Sequence, residues 1–66
     1  MRIVMNIKEI RKNKGLSLSL LARRSGVSKS HISAIENGDR MPSLLVAIEI
    51  ATALDVKLFD LYKIDT

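Results

Sequence analysis

The residues best suited to meeting another molecule stand between positions 29 and 37, in the run KSHISAIEN. At about 100° per residue, Ile32 and Ile35 mark one side of a helix, and Ser30, Ser33, Ala34 and Asn37 fall opposite them. A helix that is only solvated carries long charged side chains outward, whereas short hydroxyl and methyl groups let its backbone come close to a second surface. Lys29, on the rim of that face, adds positive charge. Such a face suits the major groove of a DNA duplex, where lysine donates to guanine O6 or N7, serine meets several bases and a methyl group meets thymine.

Other chemistries find no support in the residues. Nothing pairs a nucleophile with a base, and no glycine-rich loop could cradle phosphate, so no enzymatic activity and no cofactor are expected. His31 is the only histidine and lies about 100° from Ile32. It reads either as a half-packed surface residue or as a phosphate contact. With no second ligand at a suitable spacing, a metal site is not expected.

The elements that must hold this face can be read from their ends. Ser17 precedes the apolar-periodic Leu18, Leu21 and Ala22 and can accept an unpaired amide of the first turn, predicting a helix over 18–25. Gly26 ends it in a left-handed conformation, and Val27 pins the turn. Ser28 caps the next helix, 29–36, which Asn37-Gly38 closes. Upstream, Asn6 is placed to cap a helix over 7–14, with Ile7 and Ile10 inward and Gly15 past its end. Downstream, Pro42 keeps the preceding residue out of helix and Ser43 caps a fourth, 44–54, whose inner stripe is Leu44, Ala47, Ile50, Ala51 and Leu54. Asp55-Val56-Lys57 turns into a fifth helix, 58–62, packing through Leu58, Leu61 and Tyr62. The termini Arg2–Met5 and Tyr62–Asp65 suit a short β ribbon as well as frayed ends.

Charge is distributed unevenly. Positions 1–43 hold nine Lys or Arg against three acidic residues, a balance of +6, while positions 44–66 hold two against four, a balance of −2. One part of the chain is built to meet an anion. Nucleic acid fits better than a membrane, because no helix sets a broad basic face against an aromatic one. There is no cysteine, no apolar run near ~18 residues, and Met1–Met5 is too short for a signal peptide, so a soluble, cytoplasmic location is expected. A single domain of 66 residues buries only about 60% of the surface of its unfolded chain, and a second copy would help stabilise it.

Ala22, Gly26-Val27, Ile32 with Ile35, and the run Ile35-Glu36-Asn37-Gly38 leading to Pro42-Ser43 resemble, in that order, the Xre, or Cro/CI-like, helix-turn-helix regulators of phages and bacteria, over roughly residues 6–62. The resemblance implies an all-α, compact five-helix lambda-repressor-like DNA-binding domain over 1–66, with its helix-turn-helix at about 17–37. It implies base contacts from Lys29, Ser30, Ser33 and Ala34, and phosphate contacts from Ser17, Arg23, His31, Asn37, Arg40 and Ser43. It further implies an ion pair of Arg11 with Glu36, and a homodimer seam along Val56, Lys57, Leu58 and Leu61. A repressor binding a palindromic operator is the expected function. Two departures stand out. The glutamine that normally opens the second helix and touches phosphate is replaced by Leu18. Leu20, Leu45 and Val46 are apolar where the family is usually polar, which suggests either a protein partner, as for an antitoxin-like or adaptor module, or a wider core stripe.

Overall fold

The computed structural model describes residues 1–65. It contains four helices rather than five: α1 (Ile7–Asn13), α2 (Leu18–Ser25), α3 (Lys29–Glu36) and α4 (Leu44–Leu54), followed by a single 3-10 turn, Leu58–Leu61. The chain ends pair as a ribbon, β1 (Arg2–Met5) against β2 (Tyr62–Asp65), antiparallel, with Arg2 opposite Asp65 and Met5 opposite Tyr62. The expected fifth helix is cut short for two reasons. Leu58 and Leu61 are three residues apart, the repeat of a 3-10 turn, which stacks them on one side. Tyr62 is then taken into the ribbon by Met5.

Helix ends follow the local chemistry read from the chain, with one exception. Ser17, Ser28 and Ser43 each accept an amide of the first turn, from Leu20 at 3.0 Å, His31 at 3.2 Å and Val46 at 3.2 Å. Asn6 makes no such bond. Its backbone N–H instead donates to the Leu61 carbonyl at 2.6 Å, tying the start of α1 to the 3-10 turn, and α1 ends at Asn13 with Lys14 as its cap. At the far end of α4 the left-handed position falls to Asp55, with φ 57°. There Val56 N–H donates to Ala51 O at 3.0 Å and Asp55 N–H to Thr52 O at 3.1 Å, the paired bonds that close a helix when the next residue turns left-handed.

The core gathers one stripe from each helix: Ile7, Leu21, Ile32, Ile35, Ala47, Ile50, Ala51 and Leu54, joined by Val27 from the turn and Leu61 from the 3-10 turn. One expectation about side-chain direction is corrected, and an alternative left open divides between two residues. Leu44 does not belong to the inner stripe of α4 but stands 66% exposed, since the stripe begins one turn later at Ala47. Val46, read as a partner contact or a wider stripe, packs against the core, while Leu45 is 66% exposed.

Candidate nucleic-acid interface

Helix α3 is held from behind. Ile32 and Ile35 are buried, so the opposite side must turn outward: Lys29, Ser30 and Asn37 are exposed, and His31, Ser33 and Ala34 are half-buried. Ser25, the buried last residue of α2, secures the junction with α3. Its hydroxyl donates to the Ala22 carbonyl at 3.4 Å and accepts the Val27 amide at 3.1 Å, so the tight turn leaves that donor paired. Sequence reading passed over Ser25, whose only local signal is its place just before Gly26.

The angle of α3 is locked from α1. Arg11 Nε donates to Glu36 Oε2 at 2.8 Å, Nη2 to Oε1 at 3.1 Å, and Nη1 to the Leu16 carbonyl at 2.9 Å. The two side chains are only 10% and 3% exposed, so each charge depends on the other for solvation. Hydrogen bonding to Glu36 raises the Arg11 pKa above its ordinary value, against the opposing effect of burial. The expected pair is therefore present as a two-pronged clamp, and it also fastens the loop between α1 and α2.

Ser30, His31, Ala34 and Arg40 line one shallow cleft, and the Arg40 backbone N–H donates to the Ala34 carbonyl at 3.3 Å, so the loop after α3 brings Arg40 beside the outward face of the helix. Asn37 and Arg40 also border a second cleft against β1. Ser17 and Ser43 stand at the open starts of α2 and α4. Because each hydroxyl only accepts the capping amide, its own proton stays free to donate to an anion. A short-sided helix flanked by a basic loop and serine-capped helix starts can hydrogen-bond base edges and phosphates.

The helix-turn-helix family model matches residues 7–61, covering all four helices and the 3-10 turn. This chain belongs to the helix-turn-helix family, in its Xre, Cro/CI-like form. That family consists of DNA-binding transcription regulators. Among relatives, the uncharacterized HTH-type transcriptional regulator YgzD of Bacillus subtilis is 37% identical over 59 residues, covering 89% of each chain. The HTH-type transcriptional regulator SinR of the same organism is 43% identical over 60 residues, covering 89% of this chain and 54% of SinR. This helix-turn-helix chain thus spans about half the length of SinR. Among solved structures, the restriction-modification controller protein C.AhdI of Aeromonas hydrophila superimposes with a TM-score of 0.78 at 40% identity, covering 80% of each chain. SinR in its complex with SinI gives 0.78 at 41% identity, covering 83% of this chain and 54% of that one.

Within this helix-turn-helix protein the remaining expected residues fall unevenly. Leu18, in place of the family's glutamine, is half-buried and packs on the core, so that position offers no polar contact. Arg23 is exposed on α2, outside the clefts beside α3. Of the expected seam, Lys57 is exposed and Val56 and Leu58 are half-buried against the core. Leu61 is fully buried, so it cannot present its side chain to a partner. What sequence reading missed lies next door. Ile3, Met41, Leu44, Phe59 and Ile64 join Leu58 and Tyr62 around an apolar groove, with Phe59 82% exposed. Only the ribbon brings Ile3 and Ile64 there, so local periodicity carried no sign of it. Among the described residues no cluster of three or more His, Cys, Asp or Glu could hold a metal ion, and no helix is long and apolar enough to cross a membrane.

Proposed function

We propose that this chain is a sequence-specific, double-stranded-DNA-binding repressor in the cytoplasm, and that it binds a palindromic operator as a homodimer. The observation that carries the reading is the outward face of α3, short-sided and bordered by Arg40, in a chain whose helix-turn-helix family regulates transcription. In this reading Lys29, Ser30, Ser33 and Ala34 meet base edges in the major groove. Ser17, Asn37, Arg40 and Ser43 hold the phosphates, with His31 at the margin of the same face and Arg23 farther out on α2. None of the four base-facing side chains is a bidentate reader, so DNA shape supplies part of the specificity.

The homodimer in this reading is held by Lys57, Val56 and Leu58, extended by the apolar groove around Phe59 in place of the buried Leu61. A patch of this kind on so small a domain is costly to leave in water. Two-fold pairing would set the two α3 helices about 34 Å apart along one face of the duplex. Affinity for a selected duplex, measured against salt, tests the reading. A log–log slope of about −0.9 per phosphate contact is expected, and a flat line would exclude DNA as the ligand.

A second reading, an antitoxin-like or adaptor module, draws on Leu45, 66% exposed on α4, and on half-buried Leu20 on α2. The relative SinR is itself seen in complex with SinI. Lys29→Glu separates the two, abolishing DNA binding in the first reading and leaving protein capture untouched in the second.

A further inference from the structure

Two clefts meet at Arg40. The first runs along α3 and holds Ser30, His31 and Ala34. The second has the end of α3 with Asn37, Gly38 and Arg40 on one wall and β1, beginning at Arg2, on the other. Arg2 therefore lines the same channel as Arg40, although 38 positions separate the two in the chain. Glu36 also borders this channel, but its side chain is only 3% exposed and is clamped by Arg11, so the open charge there is positive. Arg2 is positioned by the ribbon, where Nη2 donates to Asp65 Oδ2 at 2.9 Å directly across from it. Both partners of that pair are well exposed, at 73% and 58%. Such a pair gains little in water, and a guanidinium keeps donors to spare beyond one carboxylate oxygen.

We propose that Arg2 binds a DNA phosphate, one step beyond the phosphates met by Asn37 and Arg40. The ribbon that joins the two ends of the chain thereby becomes part of the DNA-binding surface. Asp65 holds the guanidinium across the ribbon in the free protein and shares it with, or yields it to, a phosphate in the complex as the long side chain swings to the channel that Arg2 borders, an exchange of one charge-assisted bond for another. The proposal rests on the reading of this chain as a DNA-binding protein, and it assigns a role to a residue outside the helix-turn-helix.

The test uses the full 66-residue chain and a mixed-sequence duplex of about two helical turns, with affinity measured from low to moderate salt. Arg2→Gln should lower the magnitude of the log–log slope by about 0.9, so that a fourfold rise in salt weakens the wild type about 3.5-fold more than the variant. Arg2→Lys should keep the slope. Lys63→Gln is the matched control, since it also removes one positive charge and one ribbon ion pair, that of Lys63 with Glu9 at 3.3 Å. It borders a different cleft, against α1, and should leave the slope unchanged. An unchanged slope in Arg2→Gln, or equal losses in Arg2→Gln and Lys63→Gln, would overturn the proposal. If Arg40→Gln and Lys29→Gln also leave the slope unchanged, the DNA-binding reading fails and takes the proposal with it.

Discussion

Arg11 carries more of the structure than any other single polar residue. Its guanidinium spans the Glu36 carboxylate and the Leu16 carbonyl, and so joins α1, the α1–α2 loop and the end of α3. Removing one partner strands the other in a nearly dry site. Arg11→Met or Glu36→Ala should each cost about 3 kcal/mol, read as a fall in the urea midpoint with an unchanged slope, whereas joint replacement by apolar residues should cost clearly less than the sum. A raised pKa on a basic group contributes stability below its unfolded value, lost only as pH climbs through the folded value. With Arg11 raised above its ordinary value by its hydrogen bonds to Glu36, this contribution persists throughout the neutral and mildly alkaline range. Asp55 is the second residue with a measurable constraint. A β-branched side chain tolerates φ 57° poorly, so Asp55→Val should destabilise by about 1–2 kcal/mol while Asp55→Gly should not.

At the scale of elements, α3 and the 3-10 turn show opposite uses of the same i, i+3 spacing. In α3 the pair Ile32 and Ile35 anchors one side and frees the other for contact. In the 3-10 turn Leu61 is drawn fully into the core, while the following Tyr62 joins the ribbon. Leu61→Ala should therefore act on folding, at about 2–5 kcal/mol, with thermal melting as the readout. Phe59→Lys should leave the melting of the isolated fold nearly unchanged, because that ring is 82% exposed, and should shift the sedimentation profile from dimer to monomer. The element contributing most beyond local expectation is the ribbon. It places Arg2 beside the α3–α4 loop and lines the apolar groove with Ile3 and Ile64.

For the whole molecule, the deciding quantity is how charge and apolar surface are divided. The balance of +6 over positions 1–43 against −2 over the remainder concentrates cations in the part that includes α2, α3 and the Arg40 loop. Lys29→Glu, an exposed change at the start of α3, should abolish duplex binding with little effect on unfolding, a separation that combined binding and melting measurements would check. Much of this was legible in the chain. Serine caps, glycine ends and apolar spacing located α2, α3 and α4 to the residue, and the outward side of α3 followed from where its two isoleucines stand. Those signals act over four or five positions, within the reach of a capping hydroxyl or one helical turn. What pairs across longer distances was decided only on folding. The choice of a paired ribbon over frayed ends, the exposure of Leu44 and the meeting of Arg2 with the Arg40 channel all depend on which surfaces remain once the helices have packed. Pairing between distant strands and the docking of one element's end on another are properties of the assembled core, and no local spacing decides them.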